Sequence, residues 1–560
     1  MPCSFTVTKR GPGNGAIIQA QTGNYLLIKQ AMLKQDSTQA ALPGPSGPAR
    51  NFRAVIKYFT GWPGLFCVAV LVIGLVNLGH LILKALNPLQ LDYSEGLVLS
   101  GIHRLLDHPA LGDTYSFNTA FYDTTDLAYP PVFPYLGALF DRLLHALPGL
   151  NTRPEFDVSV YAVRALTLIG LLSSVALVYA TTRLFKTPRP VALAAGILFF
   201  CFHPVIYWGD AGRVDALGLA FVLAGVYLFC RVEVLRSQSL VYLWSLPFFY
   251  LAFFTKQSLL AAAAAVVLYL LVSRRFKQAV IFAGLLGAGI GLGLAGLNLA
   301  TGGNYLFFVT MERFTPFSPG QLVTTWALSL LLYGPLIGLS VWQGISYFRQ
   351  GGPRRFLVIW GGCAFLVSLT VGKAGAADYY FFEFFAFLGI MAGLALSPTS
   401  PVNVRHLLPK VMLGLQILIL LVLAVTLNFQ SDRQANLGPA YNEAVRVLAG
   451  YPAGTPLFAE LSGPAMASGH FDQVFDHFLF RQLSNAGVRD GQALVRDVAG
   501  QKFKVMLMGY DVLKLNATVG YVPSTPWPPG FEEAVRDHYR LLETLQGQDG
   551  QDYAWLLVPK

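Results

Sequence analysis

Eleven apolar runs, separated by short polar loops, constrain this chain more than any other feature of its sequence. A helix needs about 20 mostly apolar residues to cross the hydrocarbon core of a bilayer. Charged residues make up only 12% of the 560 residues, about half of the ~25% that is usual in soluble domains. The sequence therefore predicts a mainly α polytopic membrane bundle of about 11 spans. The predicted spans are residues 62–84, 160–182, 191–207, 215–231, 241–254, 258–272, 279–299, 322–346, 356–372, 381–396 and 410–427.

The distribution of Lys and Arg between the loops predicts how these spans are oriented. Cytoplasmic loops of membrane proteins are enriched in both residues. With a cytoplasmic N-terminus, the inner loops hold thirteen of these cations and the short outer loops hold four. An odd number of spans then places the C-terminus on the outer face. The net charge of +10 is explained by this bias, so we expect no nucleic-acid partner. Few cysteines and the lack of a signal-peptide pattern favour a bacterial inner membrane.

Three regions follow from changes in composition along the chain. Residues 1–60 include a stretch rich in Gly, Pro, Gln and Ala, which predicts a flexible cytoplasmic tail. Residues 61–430 hold the spans and are predicted to be a transmembrane domain, with a long first extracytoplasmic loop at residues 87–159. Residues 431–560 change to the pattern of a soluble α/β fold, which predicts an extracytoplasmic domain.

Outside the spans, apolar spacing predicts the secondary structure. In the first outer loop, Ile102, Leu105 and Leu106 form one apolar face, and Phe133–Leu147 forms another. Such faces are typical of helices that lie on the membrane surface. In the C-terminal region the predicted strands are Pro456–Leu461, Lys504–Tyr510 and Tyr553–Val558, and the predicted helices are Asp490–Ala499, with Asp490 as N-cap, and Phe531–Leu545.

An acidic pair follows the first span. Charged residues at the membrane face are costly to place, so they point to function. Asp92 and Glu95 lie three residues apart within Leu91–Gly96, and this spacing puts them on one face of a helical turn. They could hold a divalent cation or deprotonate a hydroxyl. The alternative is an acidic pair that caps a helix.

The second cluster lies in the tight outer turn Trp208–Asp215. Arg213 offers a planar fork for a phosphate or a carboxylate. The alternative is a structural ion pair between Arg213 and either Asp210 or Asp215. The sequence leaves both interpretations open.

Two further cations occupy outer loops. Lys256, within Phe254–Ser258, can hold a phosphate as a point charge or extend to the lipid headgroups. Lys373 begins a loop that contains Asp378 and is followed by Glu383. Lys373 and Asp378 add charge that could belong to a site, and the alternative is an ordinary interhelical loop. All these clusters lie on one side of the predicted membrane. They therefore predict an outer cavity that contains acid–base and anion-binding groups.

In their order and topology, these motifs resemble those of the GT-C glycosyltransferases, which use polyprenyl-phosphate-linked sugars. The likeness is greatest to bacterial members related to protein O-mannosyltransferases and aminoarabinose transferases. It covers roughly residues 60–430, and the C-terminal region resembles the variable extracytoplasmic domains of such enzymes. The motifs that carry it are Leu91–Gly96, Tyr129-Pro130-Pro131, Gly212–Asp215 and Thr255–Ser258.

The resemblance implies an inverting transfer of a hexosyl or pentosyl group from a polyprenyl phosphate to a hydroxyl of a lipid, glycan or protein acceptor. It implies Asp92 as the general base, with Glu95 orienting the acceptor or binding Mg²⁺ or Mn²⁺ as a candidate cofactor. Asp210 or Asp215 would match the family's second acidic residue. The Asp-Glu dipeptide of some members is here split as Asp-x-x-Glu, which leaves the metal open.

The remaining implied roles concern the two substrates. Lys256, Arg213 and Lys373 would bind the donor phosphate, and Tyr129, Asp378 and Glu383 would line the acceptor or donor pocket.

Three rival functions remain open at the level of sequence. A transporter would place charges near the bilayer midplane and show inverted repeats, and the sequence shows neither. A non-catalytic lipid-binding scaffold would need none of the outer carboxylates. A ligase that moves a whole glycan would need the same kind of site.

Overall fold

We describe the protein from a computed structural model that covers residues 61–87, 89, 93–107, 110, 115, 129–147, 158–209, 211–235, 240–310, 314–401, 407–429, 432–452, 454–514 and 526–560. Asp92, Asp210 and the predicted tail at residues 1–60 lie outside these described residues.

The described α-helices, numbered in chain order, are α1 Trp62–Ala85, α2 Tyr93–Asp107, α3 Val132–His145, α4 Val158–Leu184, α5 Arg189–Ile197, α6 His203–Trp208, α7 Val214–Val234, α8 Leu246–Phe253, α9 Ala261–Val272, α10 Phe276–Ala300, α11 Asn304–Thr310, α12 Pro319–Gln350, α13 Pro353–Ser368, α14 Phe382–Ala395, α15 Leu407–Phe429, α16 Asp432–Ala449, α17 Ser462–Ala467, α18 His477–Asn485, α19 Gly491–Ala499 and α20 Phe531–His538. The strands are β1 Leu457–Ala459, β2 Val505–Met508, β3 Tyr539–Gln546 and β4 Asp552–Pro559.

Eight of the described helical segments are long and apolar enough to cross a membrane, as expected for an integral membrane protein. The other three predicted spans fall on shorter apolar segments, Arg189–Cys201, Leu240–Phe253 and Ala261–Val272, so a count of eleven full spans is not confirmed. The eight long segments are Trp62–Ala85, Ser159–Leu184, Val214–Val234, Phe276–Ala300, Pro319–Gln350, Pro353–Gly372, Asp378–Ala395 and Leu407–Thr426.

The chain unwinds between α8 and α9, in the segment that carries Lys256. The short apolar runs on either side predict tilted or broken helices, and the structure has two short helices separated by non-helical residues. α8 ends at Phe253 and α9 begins at Ala261, so residues 254–260 lie between them as turns. Non-helical backbone at membrane depth is tolerated only where protein or a water-filled cavity surrounds it. Consistent with this, the Thr255 and Lys256 side chains are buried.

Two helices between α1 and α4, namely α2 and α3, confirm that the predicted apolar faces are helical. They approach closely at Gly137, where a Cβ would lie 2.4 Å from Cδ1 of Ile102. Ile102 and Leu105 are buried in a cluster that also contains Val163 of α4. Leu139 and Leu143, on α3, remain about half exposed. One face of this helix pair is therefore covered by protein, while α3 keeps an outer apolar face.

The C-terminal region forms a four-stranded sheet in the order β1-β2-β4-β3, with β1 and β2 parallel and the other pairs antiparallel. Leu457 and Leu507 of this sheet share a buried cluster with Val98 and Ile102 of α2. The sheet therefore packs on the first-loop helices. The predicted N-cap of α19 is confirmed, because the Asp490 side chain accepts from the Gln492 N–H.

The predicted helix Phe531–Leu545 is wrong in its second half. α20 ends at His538, and the next eight residues form β3, which pairs with β4. Tyr539, at the switch point, is buried and its hydroxyl donates to the Phe503 carbonyl oxygen at 3.1 Å. The backbone N–H and C=O groups of β3 are paired with those of β4, which lies further along the chain. A local apolar pattern does not indicate such a pairing.

Candidate active site

Asp215 lies between two buried cations at the N-terminal end of α7. Its Oδ1 accepts from Lys256 Nζ at 2.5 Å, and its Oδ2 accepts from Arg213 Nε at 3.2 Å. All three side chains are buried. Because α7 begins at Val214, Asp215 occupies the first helical turn, where free N–H groups favour a carboxylate. These three residues together carry two positive charges and one negative charge.

Aromatic rings enclose both cations. The Tyr379 ring centroid lies 4.1 Å from Arg213 Cζ and 4.4 Å from Lys256 Nζ. Trp208 adds a second face to Arg213 at 4.9 Å, and Tyr380 adds one to Lys256 at 4.6 Å. Cations over ring faces are stabilised most when they are desolvated, as these are. The rings therefore hold the charged groups in place without neutralising them.

The segment between α1 and α4 reaches this cation cluster at two points. Arg213 Nη1 donates to Ser94 Oγ at 2.5 Å. The Val132 N–H donates to the Phe254 carbonyl oxygen at 3.0 Å, which joins the Tyr129–Pro131 motif to the unwound segment that carries Lys256. Together with the Lys256–Asp215 pair, these contacts bring together residues at all four motifs, which are far apart in the sequence. Asp92 precedes Ser94 by two residues, and its placement lies outside the described residues.

Glu95 forms a fully buried bidentate ion pair with Arg164 of α4. Arg164 Nε donates to Glu95 Oε1 at 2.7 Å, and Nη2 donates to Oε2 at 2.9 Å. Oε1 also accepts from the Gly212 N–H at 3.0 Å. Arg164 further donates to the carbonyl oxygens of Asn87 and Leu89. Glu95 therefore connects α2, α4, the end of the first span and the second outer loop.

These contacts decide how Glu95 fits the expected divalent cation. Both of its oxygens already accept hydrogen bonds from cationic or backbone donors. A metal ion at this carboxylate would have to displace Arg164 or lie beside its positive charge. Among the described residues, no group of three or more His, Cys, Asp or Glu is arranged to hold a metal. Glu95, committed to Arg164 and Gly212, therefore does not fit as a metal ligand.

Of the other predicted site residues, Asp378 and Lys373 lie in the loop before α14, and Glu383 lies on α14 itself. Asp378 is close to the cation cluster, because its Oδ1 accepts from Trp208 Nε1 at 2.6 Å. Lys373, half-buried, begins the same loop and pairs through its backbone with Phe317. Glu383 lies deeper on α14, where its Oε1 accepts from Trp360 Nε1 at 2.6 Å.

Tyr129 contributes its backbone: its carbonyl oxygen accepts from the Tyr115 hydroxyl at 2.7 Å. The ring is half-buried and packs against two apolar clusters. These contacts give the Tyr-Pro-Pro element a structural role in this loop.

Sequence reasoning missed several residues of this site. Arg164 is a single cation inside an apolar span, and intramembrane charges usually have a partner and a function. This signal is present in the sequence and could have identified Arg164. Trp208 and Tyr379 carry no charge, and only their spacing to the cations in three dimensions reveals their role. Ser94 lies inside a recognised motif, but the sequence analysis gave it no role of its own.

The fold and this site can be compared with those of known proteins. Residues 129–295 match the family model described as dolichyl-phosphate-mannose-protein mannosyltransferase. That match includes the Tyr-Pro-Pro motif, Arg164, the Arg213–Asp215 turn and Lys256. No curated protein sequence matches the chain.

Solved structures extend the likeness to almost the whole chain. ArnT from Cupriavidus metallidurans in the apo state superimposes with a TM-score of 0.53 at 13% identity, covering 89% of this chain and 98% of ArnT. This chain shares its fold with ArnT. The structure of ArnT bound to undecaprenyl phosphate gives a TM-score of 0.54 at 14% identity.

A second solved structure has the same fold over a similar length. The archaeal oligosaccharyltransferase AglB from Archaeoglobus fulgidus, in complex with an inhibitory peptide and a dolichol-phosphate, gives a TM-score of 0.53 at 11% identity, covering 86% of this chain and 79% of AglB. The fold that the sequence motifs imply, a polytopic helical bundle with a C-terminal α/β region, is thereby confirmed.

Proposed function

We propose that this protein is a membrane glycosyltransferase that moves a sugar from a polyprenyl phosphate to an acceptor hydroxyl, with inversion. The observation that carries the proposal is the buried group of Arg213, Asp215 and Lys256, which holds two cations against one carboxylate. The family match over residues 129–295 and the ArnT structure with undecaprenyl phosphate support a lipid phosphate as the ligand.

Arg213 and Lys256 would act on the leaving group. When the bond between the sugar C1 and the phosphate oxygen breaks, negative charge grows on that oxygen. Cations that are already fixed and desolvated stabilise this charge without reorganisation. Asp215 would keep both cations oriented, and the ring faces of Trp208, Tyr379 and Tyr380 would exclude water from them.

The acceptor hydroxyl would be activated by a carboxylate. As the hydroxyl oxygen forms its bond to C1, its proton passes to a base, because a neutral hydroxyl is a weak nucleophile. We assign this base to Asp92 from the resemblance of its motif. Asp210, which the same resemblance offers as an alternative to Asp215 for the second acidic position, stays a candidate beside it.

Glu95 is assigned a positioning role rather than a direct one. Its carboxylate is committed to Arg164 and Gly212, so it would fix the start of α2, the helix that Asp92 precedes. Lys373 and Asp378 remain candidates for contacts with the donor phosphate and the sugar, respectively. Glu383, bonded to Trp360 on the membrane side, is assigned to the packing beneath the pocket.

We further propose that the site faces the extracytoplasmic side of a bacterial inner membrane, with the N-terminus in the cytoplasm. The excess of Lys and Arg on the opposite loops supports this orientation. The acceptor is a lipid, a glycan or a protein, and the transferred group is a hexosyl or pentosyl unit. A transporter or a non-catalytic scaffold is not favoured by the likeness to these transferases.

The test is release of free polyprenyl phosphate. Purified protein is incubated with a panel of polyprenyl-phosphate sugars and a bacterial envelope extract, with Asp92→Asn and Lys256→Met as controls. Release by the wild type and by neither variant would support the transferase and would name the donor. If the wild type neither releases polyprenyl phosphate nor binds any donor, the proposal is wrong.

A further inference from the structure

Helix α18 of the C-terminal region contacts the outer loop that carries two residues of the site. A Cβ placed on Gly375 would lie 2.7 Å from Cε1 and 2.8 Å from Cζ of Phe478. The phenyl ring therefore rests directly on this glycine. Gly375 has a φ of +80°, which glycine adopts readily and other residues do not. A side chain here would both strain the backbone and displace Phe478.

Gly375 is in turn connected to the cation cluster through Tyr379. The Tyr379 hydroxyl donates to the Gly375 carbonyl oxygen at 2.9 Å. The same ring lies against Arg213 and Lys256, at 4.1 Å and 4.4 Å from its centroid. An unbroken series of direct contacts thus runs from Phe478 of the C-terminal region to both cations.

Helix α18 has an anchor of its own, apart from the Gly375 loop. Leu479 and Leu483 are buried in an apolar cluster with Tyr115, Tyr305 and Phe308, which belong to other outer loops. Buried apolar contacts of this kind fix the position of a helix strongly. Helix α18 can therefore serve as a fixed support against which the Gly375 loop rests.

We propose that Phe478 is a positioning residue of the donor site. By resting on Gly375 it holds the loop 375–379 in the conformation in which Tyr379 faces Arg213 and Lys256. The C-terminal region would then be part of the donor-binding machinery, as the support for one wall. The conformation of the loop depends only on these contacts, whereas the effect on donor affinity rests on the proposed function.

The experiment compares Phe478→Ala and Phe478→Leu with a matched control, Leu542→Ala. Leu542 is an apolar residue of β3 in the same region, with 48% of its surface exposed. Two quantities are measured on the full-length protein in detergent: amide hydrogen exchange in residues 373–380, and the Kd for undecaprenyl phosphate. Gly375→Ala, which displaces the ring from the other side, serves as the second variant if Phe478→Ala does not fold.

We expect Phe478→Ala to raise the exchange rate in residues 373–380 about tenfold, because local opening becomes easier, and to raise the Kd about tenfold. Phe478→Leu, which keeps part of the contact, should lie between this variant and the wild type, and Leu542→Ala should match the wild type. Unchanged exchange in Phe478→Ala would overturn the proposal. Faster exchange with an unchanged Kd would overturn the role in donor binding. If the wild type itself does not bind undecaprenyl phosphate, the proposed function fails, and the exchange data alone decide whether Phe478 holds the loop.

Discussion

Lys256 Nζ lies 2.5 Å from Oδ1 of Asp215, and both side chains are buried. A buried charge that loses its partner is expensive, usually about 3–5 kcal/mol. This pair therefore makes a buried cation tolerable beside Arg213, whose Nε donates to the other oxygen of the same carboxylate.

Asp215→Asn should lower the Tm of the protein, because Arg213 and Lys256 then lose their shared carboxylate. Undecaprenyl phosphate should raise the Tm of this variant more than it raises that of the wild type, since the lipid phosphate replaces the missing negative charge. Thermal unfolding in detergent, with and without the lipid, measures both effects. Equal stabilisation of the two proteins would argue against a phosphate at this position.

Arg213→Lys should weaken the binding of undecaprenyl phosphate by about tenfold, roughly the loss of one charge-assisted hydrogen bond. Lysine keeps the charge but cannot reach Ser94 and Asp215 at once as the guanidinium does. The matched control is Arg446→Lys, which changes an exposed ion pair with Glu443 in α16. A similar Kd for both variants would mean that the fork geometry of Arg213 has no part in donor binding.

Asp92→Asn and Glu95→Gln should fail in different ways. If Asp92 is the base, its amide variant keeps the Tm of the wild type and loses nearly all turnover. Glu95→Gln should lower the Tm, because the buried Arg164 loses its bidentate partner at a cost of roughly 3 kcal/mol. Measuring turnover and Tm side by side separates the two roles. Turnover lost without any change in Tm in Glu95→Gln would instead assign Glu95 to the chemistry.

The C-terminal region should lose stability in mild acid. Burial, and secondarily the charge of Arg481, holds the pKa of His477 well below 6.5. The unfolded chain takes up a proton near pH 6.5 and the folded chain does not, so stability falls as the pH drops below about 6.5, by at most ~1.4 kcal/mol per pH unit. Burial raises the pKa of Glu460 despite the nearby Arg481, so its protonation in the folded state opposes the loss at lower pH.

The measurement for this effect is the Tm between pH 7.5 and 5 for the wild type and for His477→Gln. The wild type should lose Tm across this range, and the variant should lose clearly less because it has no imidazole to protonate. Parallel curves would show that another group controls the acid response.

The sequence was sufficient for the parts of the fold that depend on local pattern. Among the described residues, apolar run length located all eight helical segments that are long and apolar enough to cross a membrane, and it separated the two short helices on either side of Lys256. The sequence-based prediction failed at β3. Tyr539 and its neighbours pair with strand β4, and their own apolar spacing does not indicate this pairing. Eleven full spans were predicted because hydropathy does not show where a helix ends, and three of the apolar runs form shorter helices.

The sequence predicted most of the charged residues of the candidate site, but it did not predict the contacts between them. Arg213 and Lys256 were recognised as anion-binding candidates, and the alternative of an ion pair between Arg213 and Asp215 proved to be present in the same cluster. The pairing of Glu95 with Arg164 crosses 69 positions of sequence, and no local pattern encodes it. The same holds for Tyr379, whose function depends on two cations from separate loops.

The carboxylate of Glu95 has a mechanical consequence. Because one oxygen, Oε1, accepts from both Arg164 and the Gly212 N–H, the start of α2 and the turn before α7 are joined at a single atom. Separating these two segments would break a buried ion pair. We therefore expect them to move as one unit when the donor lipid binds.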